Sequence, residues 1–297
     1  MGRDYTGDFR EGKGVSSKGG PPRGPSRPRS AALPRMGPGT AGLPRGQSLR
    51  RGYFSTKEDM GALVPGAICR VKRKEACVRA LVVGASGGIG GALLGALRER
   101  GAEVVALSRS ADGLDVTDEA SVAAALGVLV PAFDLVVVAT GALILDGQGP
   151  EKTLKAVTAD GLARAFAVNA IGPALVMKHV LRLMPRDRVA RLAVLSARVG
   201  SIGDNHLGGW YGYRAAKAAL NQLVRTAAIE AARTHPQSVL VALHPGTVET
   251  ALAPAQRAGH PSVLPAEAAG NLLTVIENLQ SSASGGFFDW KGEVVPW

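Results

Sequence analysis

Tyr213 stands four residues before Lys217 in the alanine-rich run WYGYRAAKAALNQL at 210–223. On a helix that spacing puts a phenol and an ammonium on one face. Such a pair can move a proton. A phenol of pKa about 10 is a weak acid or base at neutral pH, and a nearby ammonium together with the positive end of a helix favours the phenolate. The same spacing also describes a half-buried tyrosine beside a lysine reaching for solvent, so the decision has to come from elsewhere in the chain. A second constellation is GASGGIG, which places Gly84, Gly88 and Gly90 after an apolar run. Glycines there make a tight turn, let backbone N–H groups approach a pyrophosphate and allow a helix to pack on a strand, with the helix N-terminus turned to the anion. In a strand–turn–helix setting this reads as nucleotide binding.

The elements that must position these residues follow from periodicity. ALVVGASGGIGGALLGALRERGAEVVALSRS reads as a strand over Ala80–Val83, a glycine turn, a helix to about Arg100 and a strand over Val104–Leu107. Further strands are expected at Leu135–Val138, Leu192–Leu195, across SVLVALHPG and near Phe287, with helices over Ala159–Leu183, through the Tyr213 run, and over Pro265–Leu279. This alternation predicts one α/β domain over 79–297: a Rossmann-type doubly wound parallel sheet of six or seven strands in three α/β/α layers. The segment LDV at 114–116 follows Leu107 too closely for a helical crossover, so it is either a short edge segment or a loop.

Charge is uneven along the 297 residues. Residues 1–78 hold 16 Lys/Arg against 6 Asp/Glu, whereas 79–297 hold 19 against 18. The basic character therefore belongs to the N-terminal part, and the body offers no nucleic-acid footprint. The first fifty residues are Pro, Gly, Ser and Arg without hydrophobic periodicity, and 1–78 is expected to be a disordered extension. Met36 to Phe54 carries no acid and leads into RRGYFST, which resembles the processing region of a mitochondrial presequence; a dispensable basic tail on a cytoplasmic protein is the alternative. Cys69 and Cys77 lack partners at ligand spacing, so neither zinc nor a disulfide framework is implied. No apolar run reaches membrane-span length, and no membrane partner is expected.

The spacing G-x-x-x-G-x-G together with Y-x-x-x-K resembles the short-chain dehydrogenase/reductase family. Other landmarks fall in that family's order: VATG at 138–141 where it usually has N-N-A-G, Asn169 in VNAIG, LSARVGSI before the tyrosine, and HPGTVET at 244–250. LSARVGSIGDNHLGGWYGYRAAKAALN and the ending GGFFDWKGEVVPW look like the C-factor-like branch. The resemblance spans Arg79 to Trp297. It implies an NAD(P)-dependent oxidoreductase that interconverts a carbonyl and an alcohol, with Tyr213 as general acid/base. Lys217 would also bind the nicotinamide ribose, and Asn169 would hold a water linking Lys217 to solvent. Implied cofactor contacts are Gly84, Ser86, Gly88, Ile89 and Gly90 in the turn, and Asp115 and Val116 at the adenine edge. Ala139 and Gly141 would add to them, as would Pro245, Gly246, Thr247, Val248 and Thr250. Asp115 could instead cap the following helix.

Cofactor choice turns on the end of the second strand, where a carboxylate would repel a 2′-phosphate. Ser108 and Arg109 stand there, with no carboxylate until Asp112, which favours NADP, with NAD possible. The family's serine, three residues before Gly200, is replaced by Ala197. Ser196 takes its part if a bulge turns it inward, and otherwise Ser201 does. The resemblance further implies a homo-dimer or tetramer packed through the helices carrying Asn169 and Tyr213. A non-catalytic NADP(H)-binding regulator of the same fold is the rival reading; the joint presence of Tyr213, Lys217 and Asn169 favours the enzyme.

Overall fold

The computed structural model describes residues 77–250 and 262–297. The chain separates into Met1–Ala67 and Ile68–Trp297, and the described residues belong to the second unit. The extension and processing segment expected before Cys77 lie outside the described residues.

Short aliphatic, β-branched runs form the first strands: β1 (Arg79–Val83), β2 (Glu103–Leu107) and β3 (Leu135–Val138). Burial on both faces explains why these runs do not alternate with polar residues. Leu81 and Val83 enter one core and Ala80 and Val82 the other. With β4 (Arg191–Leu195), β5 (Val239–His244) and β6 (Phe287–Asp289), they make a six-stranded sheet of order β2-β1-β3-β4-β5-β6, parallel at every pairing. The chain runs outward to β2, then returns past β1 to β3. That reversal opens a crevice beyond the carboxyl ends of β1 and β3, the place where open α/β sheets bind ligands.

Helices α1 (Gly88–Glu99) and α7 (Pro265–Asn278) cover one face, burying Leu93, Leu97, Leu272 and Ile276. The glycine-edged single turn α2 (Arg109–Asp112) leads from β2 to α3 (Glu119–Gly127). Helix α3 covers the other face with α5 (Gly172–Val180) and α6 (Tyr211–Ala231), while α4 (Ala159–Phe166) packs along α6. Among the described residues no helix is long and apolar enough to cross a membrane.

Two expectations are refined. LDV is a loop, and the sheet has six strands; Leu114, 3% exposed, plugs the core on the α3 face without pairing to β2. The single helix expected over Ala159–Leu183 is broken by a π-helical turn at Ala167–Ile171, between α4 and α5. Its cause is local. Pro173 has no N–H to give the Asn169 carbonyl, and Asn169 bends its own amide back to the Ala165 carbonyl at 3.2 Å.

Gly90 illustrates how tightly the first turn is built: a Cβ there would lie 2.1 Å from the Gly84 carbonyl oxygen. On the same helix, a Cβ at Gly95 would meet nothing within 4 Å. Gly90→Ala is therefore expected to lower unfolding free energy by about 1–3 kcal/mol through forced displacement. Gly95→Ala should raise it by up to about 1 kcal/mol through helix propensity. Denaturant unfolding of the two variants measures both, and equal effects would contradict the packing account.

Candidate active site

A cavity of about 710 Å³ lies at the carboxyl ends of β1, β3, β4 and β5. Its floor is the glycine turn. Gly84 and Ala85 donate to the Leu107 carbonyl at 2.8 and 3.1 Å, which ties the turn to β2. Helix α1 starts behind Gly87 with no side-chain cap, and Ser86, Gly88, Ile89 and Gly90 line the cavity. Uncapped first-turn amides at the positive end of a helix form an anion site. Opposite lie Ala139, Thr140 and Gly141, with the buried Thr140 hydroxyl lacking a partner. The bare helix start and the unpaired Thr140 hydroxyl fit the pyrophosphate part of a dinucleotide. Among the described residues no cluster of His, Cys, Asp or Glu could hold a metal.

Tyr213 and Lys217 face this cavity from the first two turns of α6. Lys217 is 2% exposed and donates to the Leu195 carbonyl at 2.9 Å, where β4 ends. Its Nζ lies 5.9 Å from the Tyr213 ring centroid, and Trp210 meets that ring edge-on at 6.3 Å. The sequence led to the expectation of a phenol made more acidic by its lysine. In the protein alone burial dominates: it pushes the Tyr213 phenol up to about 12 and brings the Lys217 ammonium down to about 8. Gly200 permits the arrangement, since a Cβ there would lie 2.8 Å from both the carbonyl carbon and the Cβ of Lys217.

Asn169, fully buried in the π turn, is committed to the chain. Its Oδ1 accepts from the Ala142 N–H at 2.9 Å, and its Nδ2 donates to the Ala142 carbonyl at 2.9 Å. It thereby fixes the Gly141–Ala142 backbone beside Lys217 Nζ. Ser196 lines the cavity, and its hydroxyl donates to Asn221 Oδ1 on α6 at 2.6 Å. Ser201 Oγ accepts from the Asp204 N–H at 3.1 Å and does not line the cavity, whereas Ala197 does.

At the β2 end, Ser108 caps α2, accepting from the Ala111 N–H at 3.2 Å, and Asp112 reaches back to accept from the Ser108 N–H at 2.7 Å. This reciprocal cap turns the nearest carboxylate onto its own backbone. Arg109 is exposed, and its charge helps hold Asp115 below the usual carboxylate range after the two hydrogen bonds from Thr117. Asp115 does not cap the following helix; Asp118 caps α3 through the Ala120 N–H at 2.9 Å. Ser108, Arg109, Asp115 and Val116 do not line the cavity, whose wall Pro245, Gly246, Thr247, Val248 and Thr250 complete on the β5 side.

Sequence reasoning missed several wall residues. Arg198 pairs with Asp204 at 2.5 Å, and Arg214 donates to the Gly208, Gly209 and Val199 carbonyls, stapling the loop before α6. His244 is kept neutral by burial, its pKa near 4. Behind the wall, Glu151 accepts from the Gly212 N–H at 3.0 Å. Arg214 and Gly212 flank Tyr213 directly, and that adjacency was the available signal; Glu151 is distant in sequence and carried none.

A family model described as enoyl-(acyl carrier protein) reductase matches residues 84–274. The chain is 38% identical over 138 residues to C-signal of Myxococcus xanthus, covering 46% of this chain and 78% of that protein. It is 32% identical over 232 residues to 1-hydroxy-2-glutathionyl-2-methyl-3-butene dehydrogenase of Rhodococcus sp. (strain AD45), covering 73% and 98%. Among solved structures, the NADPH-bound carbonyl reductase from chicken fatty liver aligns with a TM-score of 0.62 and 25% identity, over 74% of this chain and 94% of that one.

The Lys217 environment yields a stability prediction. Its folded pKa, about 8, lies below the ordinary 10.5, so between these values the unfolded chain binds more protons and stability rises with pH. Below about 8 both states are protonated and the burial penalty is fully present. Wild type should therefore gain stability relative to Lys217→Met as pH rises through this window. Parallel denaturation curves at several pH values measure it, and a constant difference would refute the burial account.

Proposed function

The chain belongs to the short-chain dehydrogenase/reductase family, and on that premise we propose that it is an NADP-dependent oxidoreductase interconverting a carbonyl compound and an alcohol. The observation that carries this reading is one cavity holding both the uncapped start of α1 and the Tyr213–Lys217 pair. The first-turn amides of α1 would hold the pyrophosphate, Arg109 and Ser108 the 2′-phosphate, and Lys217 the nicotinamide ribose. The bound NADP(H) supplies or accepts the hydride. Tyr213, protonated at neutral pH, gives its proton to the substrate oxygen in the reductive direction and takes it back in the oxidative one. Lys217, charged below about pH 8, opposes the negative charge left on the phenol oxygen. Asn169 holds the Gly141–Ala142 backbone against this centre.

The NADPH-bound carbonyl reductase supports the cofactor and the reaction class. A second reading, a nucleotide-binding regulator without turnover, draws on Ala197 in place of a serine and on the likeness to C-signal. The proposal extends to a homo-dimer or tetramer packed through the helices of Asn169 and Tyr213, and to mitochondrial processing near Ser55.

Screening carbonyl compounds for NADPH depletion tests the enzyme reading. Tyr213→Phe should lower turnover by roughly 10²–10⁴-fold while leaving NADPH binding intact. Ser196→Ala should cost far less, because its hydroxyl already serves Asn221. NADPH bound tightly with no carbonyl turned over would favour the regulator.

NADPH should bind more tightly than NADH, by about 10- to 100-fold if Arg109 makes a charge-assisted hydrogen bond to the 2′-phosphate. Arg109→Asp should reverse the order. Fluorescence titration of both cofactors decides, and equal affinities would remove Arg109 from the site.

A further inference from the structure

Helix α6 opens without a side-chain cap of its own. Its first residue follows Trp210, which sits in the left-handed region at φ 54° and offers no capping side chain. The missing partner comes from far away in the sequence. Glu151 Oε2 accepts from the Gly212 N–H at 3.0 Å, and the Glu151 carbonyl accepts from the Trp210 N–H at 2.5 Å. The other carboxylate oxygen points at two helix starts. A Cβ at Gly212 would lie 2.9 Å from Glu151 Oε1, and one at Gly161, in the first turn of α4, 3.7 Å from it. Helix α4 already has its own cap, the Thr158 hydroxyl accepting from Gly161 N–H at 3.1 Å. One half-buried carboxylate thus sits in the fork between two positive helix ends, one residue from Tyr213.

We propose that Glu151 is a positioning residue for Tyr213: its carboxylate, seated between the amino ends of α4 and α6, fixes the first turn of α6 and cancels the positive potential of that helix end beside the phenol. The inference rests on the reading of Tyr213 as proton carrier. It assigns the helix end a different part from the one a bare helix would play. An uncapped N-terminus next to the phenol would favour the phenolate, whereas one answered by a carboxylate leaves the phenol protonated and ready to donate. The residue 151 carbonyl holds Trp210, whose ring rests edge-on against Tyr213, in a bond any residue there would make; the side chain's own hold on the phenol's position is its bond to Gly212, the residue before Tyr213. Charged or titratable side chains on the elements around this turn include Tyr211, Arg214 and Lys217 on α6, Lys152 beside Glu151, Arg198 after β4, Asp160 and Arg164 on α4, and His244 on β5. None of these changes in the variants that test Glu151.

Glu151→Gln keeps an acceptor oxygen of the same reach and removes the charge, while Glu151→Ala removes both. Titration of the Tyr213 phenol, followed by ultraviolet phenolate absorbance as the difference from Tyr213→Phe, should move to lower pH in Glu151→Gln. On the acid limb of its pH profile, alcohol oxidation by that variant should run roughly two- to fivefold faster than wild type at unchanged NADPH affinity, while loss of the charge between two helix ends should lower the melting temperature slightly. Glu151→Ala should lower kcat at unchanged NADPH affinity. A Glu151→Gln phenol titration superimposable on wild type overturns the electrostatic part, and a Glu151→Ala kcat equal to wild type overturns the positional part. The titration needs no turnover: if wild type oxidises no alcohol, the enzyme reading fails while the phenol titration still decides the role of Glu151.

Discussion

An ammonium buried with one hydrogen bond, that of Lys217 to the Leu195 carbonyl, is costly to hold, and much of the site's architecture answers that cost. The acceptor is the last residue of β4, so the sheet itself presents the carbonyl. Gly200 lets the turn after β4 lie directly on the α6 backbone at Lys217; a side chain there would push the two apart. On the other side the Gly141–Ala142 backbone comes close, held by both ends of the Asn169 amide. Three segments distant in sequence are thereby fixed relative to one nitrogen.

The fixing of Asn169 shows how a local defect serves that geometry. An uninterrupted α-helix through 159–180 would carry Asn169 in regular register. Pro173 removes one helical hydrogen bond, and the side chain takes the Ala165 carbonyl for itself. The resulting π turn places the amide where it can both accept from and donate to Ala142. The helix loses regularity at the place where the site gains a rigid wall.

The layers of this fold were legible in the sequence because buried parallel strands are continuous apolar runs and their covering helices carry a second periodicity. The glycine turn and Tyr213–Lys217 were legible for a different reason: their chemistry depends on short, fixed spacings. What stayed hidden depends on contacts between distant residues. LDV looked extended, yet β2 has no partner to offer it once Leu114 is drawn into the core. Ser196 looked like a substitute donor, but only the fold brings Asn221 within 2.6 Å of it. The burial of the phenol was hidden as well. Lysine and helix are visible in sequence, whereas the desolvation that raises the phenol is a product of packing.

These terms together bear on how a site with Ala197 in place of a serine could work. A second hydroxyl would share the developing charge on a substrate oxygen. On the proposed mechanism that role would fall more heavily on Tyr213, and its high pKa of about 12 brings it nearer to that of an alcohol than an ordinary phenol would be. Matching donor to acceptor makes proton transfer more nearly even in energy. The cost appears in the opposite direction, where the proton must first leave Tyr213 and Lys217 must still be charged to help it go. Those requirements pull apart as pH rises, since Lys217 is lost near 8 well before the phenol ionises. In the resting protein at neutral pH both protons are in place, which is the state the proposed carbonyl reduction would need.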